Sequence, residues 1–247
     1  MVTLLRKIRR NLLSQNRFNK YMLYAIGEII LVVIGILIAL QINDWNDQNK
    51  KSDLEIKILK EINTNLSFDL EEIREDISLM DSIEFAAIDI VDYISNHEIP
   101  SEKFNYNVAK MKVAPHFNPN KSGYELLSSK GVEIVVNDSL RIAISDLYES
   151  YYPYYNQYEK ERIMFKSNLI QPYFLKYFSW MSDLDKYFLT TLNCTQDDYL
   201  KLKNNDSFIK LIRAIDFENK FVRLRAKTME EKIINLKRQI SEALKNN

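Results

Sequence analysis

Residues 18–46 read FNKYMLYAIGEIILVVIGILIALQINDWN, and from Tyr21 to Ile42 only Glu28 and Gln41 interrupt an apolar run. As an α-helix at about 1.5 Å per residue the run reaches roughly 33 Å, enough to cross a hydrocarbon core about 30 Å thick. Ahead of it stand Arg6, Lys7, Arg9, Arg10, Arg17 and Lys20 with no acid, and after it come Asp44 and Asp47. Positive charge stays on the cytoplasmic side of a span. The expected division is therefore a basic cytoplasmic segment at 1–20, a transmembrane helix at 21–42 and a periplasmic domain at 43–247, single-pass in the inner membrane. A cleaved signal peptide is the competing reading, but its apolar region would be shorter, and Gln41–Asn46 offers no small-x-small cleavage site. Tyr21, Tyr24 and Trp45 suit the two interfacial aromatic belts.

Within the run, Gly35 and Ala39 make a small-xxx-small pair that lets two helices approach closely. At 100° per residue Tyr21, Tyr24, Glu28, Gly35, Ala39 and Asn46 share one stripe, the expected helix–helix contact face. Glu28 lies about 12 Å along the helix from Lys20, a depth at which a carboxyl should be protonated or paired. A snorkelling Lys20 or the Tyr24 hydroxyl is within its reach, and it is either an interhelical hydrogen-bond anchor or a contact for another membrane protein's basic residue, or else a proton-carrying group of an ion-driven complex.

The whole chain has 247 residues, 34 Lys+Arg, 34 Asp+Glu, two His, one Cys and four Gly. Gly27 and Gly35 lie in the apolar run, leaving only Gly123 and Gly131 for the rest. That excludes a glycine-dependent phosphate loop, a dinucleotide fold or a turn-rich β-sandwich. One Cys forms no internal disulfide, and two His with one Cys give no metal-ligand spacing, so neither metal nor cofactor is expected. Six basic residues beside a span are accounted for by topology and anionic lipid, without nucleic acid.

Beyond the span, Leu59, Ile62, Leu66, Ile73, Ile77, Met80, Ala87, Val91 and Ile94 recur at threes, fours and sevens, with no Gly or Pro between Asn43 and Ile99. This predicts a helix, or two nearly coaxial ones, over about 44–96. Pro100, Pro115 and Pro119 mark 97–121 as irregular, with a short helix at most around 102–111. Ser122 with Glu125 has the capping-box pattern and Gly131 suits a C-terminal cap, predicting a helix over 123–130. Asn137-Asp138 should cap the next, with Leu140, Ile144, Leu147 and Tyr151 on one face, and Pro153 and Pro172 should kink or restart it through about Trp180. Thr195 should cap a helix to about Leu202. Asp206 should cap the last, where Phe208, Leu211, Ile215, Val222, Met229, Ile233, Leu236, Ile240 and Ala243 recur in register. Val132–Val136, the only strand-like run, reads as an extended connector. The fold class is all-α: an elongated bundle whose long first and last helices pair antiparallel in coiled-coil fashion.

No catalytic constellation stands out. His97 and His116 fall in loops beside prolines without further ligands, Cys194 has no nearby His, and the acids Glu71, Glu72, Glu75 and Asp76 read as a solvated helix face. Tyr148, Tyr151, Tyr155 and Tyr158 step by three and four along one stripe that should be buried. Tyr152 and Tyr154 fall off it and, with Tyr124, are candidates for a partner surface.

Two segments, 18–46 above and PHFNPNKSGYELLSSKGVEIVVNDSLRIAISDLYESYYPYY at 115–155, resemble the motifs of an uncharacterised membrane-protein family of Bacteroidota, the domain of unknown function 6090. The resemblance implies an inner-membrane protein with a periplasmic helical domain and no assigned activity, and it places Glu28, Gly35, Trp45, Gly123, Tyr124, Gly131 and Arg141 in the family's pattern. The expected role is an interaction or scaffold protein rather than an enzyme, partnered by the bilayer and by a second copy or another membrane protein. The alternatives are an accessory subunit of an ion-driven complex using Glu28 and a ligand-sensing module.

Overall fold

A computed structural model describes residues 18–181 and 191–246. Residues 1–17, most of the expected cytoplasmic segment, and the side chain of the expected interfacial Tyr21 lie outside the described residues. The chain divides into two compact units, Met1–Glu55 and Ile56–Asn247. The first is described by the start of helix α1 (Phe18–Asn96). An apolar window near the N-terminal end of α1 is long enough to cross a membrane, and none of it is buried.

Among its described residues the second unit is all-α apart from one small hairpin. It holds the rest of α1, then α2 (Glu102–Lys110), α3 (Ser122–Lys130), α4 (Asp138–Asp146), α5 (Tyr152–Phe165), α6 (Gln171–Tyr177), α7 (Gln196–Lys203) and α8 (Asp206–Asn246). α1 ends at Asn96, where the amide of Asn96 turns back on Asp92 and the chain approaches Pro100. The predicted apolar face is the buried one: Leu59, Ile62, Leu66, Ile73, Met80, Ala87 and Ile94 are 0–3% exposed. α8 runs antiparallel to α1, as Arg74 pairs with Glu230, Asn219 Nδ2 donates to the Met80 carbonyl, and Lys220 pairs with Glu84. Between them Ile83, Ala87, Ile90, Phe208, Ile212 and Ile215 share one core with Phe104, Phe174 and Tyr199.

The caps explain the short helices. Ser101, Asn137 and Thr195 accept from Phe104 N, Leu140 N and Asp198 N, satisfying amides that a helix start leaves unpaired. Two expected caps are displaced. Lys121 rather than a capping Ser122 precedes α3, because the Ser122 hydroxyl is drawn to Asn65 Oδ1 at 3.2 Å. Asn205 rather than Asp206 serves α8, accepting from Ser207 N at 3.0 Å.

Two features depart from the sequence reading. Val132–Val136 is not an extended connector: Val132–Ile134 is a 3₁₀ turn after Gly131, whose φ of 99° favours glycine. A hairpin, β1 (Ser179–Met181) against β2 (Thr191–Asn193), stands where helix was expected to run on to Trp180. Pro153 and Pro172 restart the path from Asp138 to Tyr177 in pieces, as expected: each stands in the first turn of α5 or α6, directly after a π turn at Leu147–Tyr151 or Lys166–Ile170. A proline has no amide for its turn and crowds the carbonyl four residues back, and the wider π turn relieves both.

Candidate functional site

The polar centre of the second unit is built around a strap, residues 113–121, that has no regular structure and runs between α1 and α5. Pro115 and Phe117 are buried while His116 and Asn118 are exposed. Buried backbone without a helix or ladder must find other partners. Here side chains supply them from both flanking helices.

On α1, Asn65, Asp69, Glu72 and Asp76 are spaced four, three and four, which puts them on one face. Asn65 Oδ1 accepts from Gly123 N at 2.9 Å, Asp69 Oδ1 from Asn120 N at 2.8 Å and from Asn120 Nδ2 at 2.9 Å, and Glu72 Oε1 from Asn118 N at 3.2 Å. The other Asp69 oxygen accepts from the Tyr152 hydroxyl at 2.7 Å. Gly123 is required by this approach: a Cβ there would lie 2.7 Å from Ile62 N.

On the other flank Tyr148, Tyr152, Tyr155, Glu159, Arg162 and Lys166 are spaced four, three, four, three and four. Tyr148 donates to the Asn120 carbonyl at 3.4 Å, and Glu159 Oε1 accepts from Phe117 N at 3.0 Å. Arg162 Nη2 donates to the Pro115 carbonyl, Lys166 Nζ to the Val113 carbonyl, and Arg162 Nη1 to Met80 Sδ at 3.2 Å. Phe117 fits between the Tyr152 and Tyr155 rings, with centroids at 5.3 and 6.2 Å, and Tyr124 stacks on Tyr148 at 4.6 Å.

Burial sets the charge states. Desolvation pushes the Glu159 carboxyl up to about 7 against the Phe117 amide and Arg162, which favour the anion. Asp76 is raised to about 6, by desolvation first and the Glu72 charge second, with Arg162 and His116 opposing. Desolvation, then the Arg162 charge, lowers Lys166 to about 7. Asp69 is also raised by desolvation, although Asn120 and Tyr152 oppose it. Glu159 and Arg162 are both 1% exposed and lie 3.8 Å apart. Such a pair costs desolvation and returns it through good partners, which the strap's backbone supplies.

The residues singled out in the sequence are dispersed. Tyr24 and Trp45 are exposed on α1, as are Glu28, Gly35 and Ala39, and a Cβ at Gly35 would meet nothing within 4 Å. Of the three tyrosines considered as a partner surface, Tyr152 is 2% and Tyr124 9% exposed, and only Tyr154 faces outward. The π turn lengthens the local period to four, which carries Tyr152 onto the buried stripe of Tyr148 and leaves Tyr151 and Tyr158 half-buried. The acids Glu71 and Glu75 are exposed as expected, whereas Glu72 and Asp76 turn inward to the strap. His97 stacks on Tyr93 at 4.0 Å, and Cys194 is a buried thiol that desolvation pushes up to about 12, a poor nucleophile. Among the described residues no three His, Cys, Asp or Glu side chains gather as a metal-binding group. Glu159, Arg162 and Lys166 escaped the sequence reading because charged residues are ordinarily solvated. Their continuation of the tyrosine spacing was the available signal.

No curated protein and no solved structure matches the chain significantly. A family model does match, over residues 28–220, a stretch that begins inside the exposed apolar segment and takes in the whole strap and both of its flanks. With most of its length so matched, the chain belongs to this family of unknown function, DUF6090.

Proposed function

We propose that the protein is a single-span inner-membrane protein whose periplasmic helical domain serves as an interaction scaffold, self-associating or joining another membrane protein through α1. The observation that supports this most is the apolar window of α1, which is exposed among the described residues, whereas the second unit buries its own core. Lipid is the natural cover for such a surface. The basic residues before it favour an inside N-terminus and a periplasmic domain. Gly35 and Ala39 supply the close-contact face.

Crosslinking in native membranes, followed by mass spectrometry, tests the reading. The expected result is a carbonate-resistant membrane protein that crosslinks to itself or to one membrane protein, with the crosslink lost in Gly35→Leu. A chain recovered in the soluble fraction, or one strictly monomeric and without a partner, would overturn it. A second reading rests on Glu28, the only acid or base between residues 22 and 42: a carboxyl serving an ion-driven complex. Full function of a normally assembled Glu28→Gln variant would dismiss that reading.

A further inference from the structure

Asp76 and Glu159 come from different helices, α1 and α5, and each keeps one buried oxygen, Asp76 Oδ2 and Glu159 Oε2, that receives no well-formed hydrogen bond from the described residues. In the same cluster the buried Tyr155 hydroxyl faces Glu159, where it favours the anion only weakly, and Arg162 Nε is buried without a well-formed hydrogen bond among the described residues. The second Glu159 oxygen holds Phe117 N. A proton on Oε2 therefore leaves the strap's bond in place while removing a charge from an interior where it is costly.

We propose that Asp76 and Glu159 form a buried proton-binding site whose occupancy sets how firmly the strap 113–121 is held between α1 and α5. With the strap closed, Glu159 and the inner oxygen of Asp76 are kept from water and the neutral acid is favoured. Opening hydrates them and releases the proton to solvent. The proton and the closed strap thus stabilise one another, by linkage.

The charged groups around the site set the shape of the response. From α1 come Asp69, Glu72 and Glu75, from α5 Tyr155 and Arg162, from the π turn Lys166, and from the strap His116. On α8, Arg225 lies over the Tyr154 and Tyr158 rings and Glu230 pairs with Arg74, while Lys220 and Arg223, farther along, are engaged by Glu84 and Asp81. For a carboxyl raised in the closed state, closure binds the extra proton, so closure strengthens as pH falls from about 7 toward 5. Lys166 has the opposite sense, because opening hydrates its ammonium and restores a proton. Closure therefore strengthens again above about pH 7, and the strap is loosest near neutrality.

Hydrogen exchange of the strap amides in the full chain, in detergent and corrected for intrinsic rates, reads this directly. Protection should pass through a minimum near pH 7 and rise on the acid side by up to about tenfold per pH unit for each proton linked. Glu159→Gln should reduce the acid rise, Lys166→Met should remove the alkaline one, and His116→Gln should change neither. Should Glu159→Gln lose helicity, Asp76→Asn at its half-buried position reports on the same site and should reduce the acid rise. A flat wild-type profile, or an acid rise undiminished in the folded carboxyl variants, would overturn the proposal.

Discussion

Gly123 shows how one hydrogen atom in place of a methyl group decides a contact. Its Cβ position lies 2.7 Å from Ile62 N and 2.8 Å from Ile62 Cγ1, and its amide binds Asn65. Backbone on that side cannot yield as a long side chain would. Gly123→Ala should lower stability by about 1–3 kcal/mol, measured by urea unfolding monitored by circular dichroism. Gly35→Ala, where nothing lies within 4 Å, should leave the stability of the second unit unchanged in the same assay. From the sequence, Gly123 is visible as a member of the capping segment, but its contact with Ile62 is not, since the two lie far apart along the chain. The same holds for Asp69, whose two partners, Asn120 and Tyr152, come from separate elements.

At the scale of elements, the sequence reading succeeds where the apolar period is constant and fails where it changes. α1 and α8 keep a steady period, and nearly every predicted apolar position in their paired region is buried. Around the two π turns the buried stripe steps by four, and the reading misplaces Tyr152 and passes over Glu159, Arg162 and Lys166. The hairpin was illegible for another reason, as strands of three residues hold too few positions to show alternation. Phase can be tested apart from contact at Ser150, an exposed residue in the first π turn. Ser150→Ala should change stability by no more than about 0.5 kcal/mol. Deleting Ser150 should rotate α4 by about 100° against α5 and abolish cooperative unfolding, as seen in thermal melts.

For the molecule as a whole, the division into Met1–Glu55 and Ile56–Asn247 makes a simple claim about where folding energy resides. Among the described residues the core lies in the second unit, and the first contributes exposed apolar helix. A fragment of residues 51–247 should therefore stay in solution without detergent and melt at the same midpoint as the full chain. A large fall in midpoint, or aggregation of the fragment, would show that the first unit supports the second. The family match over 28–220 covers parts of both units.

The strap is held by address rather than by repetition. In a β-ladder every rung is the same amide-to-carbonyl bond, so a strand can slip by two residues and still pair. Here Val113, Pro115, Phe117, Asn118 and Asn120 each answer to a different side chain: Lys166, Arg162, Glu159, Glu72 and Asp69. A shifted strap would offer a donor to a cation or a carbonyl to a carboxylate at several points at once. The segment has one placement, encoded in the change from cations facing its first carbonyls to carboxylates facing its later amides, and an inserted or deleted residue within it would find no second place to settle.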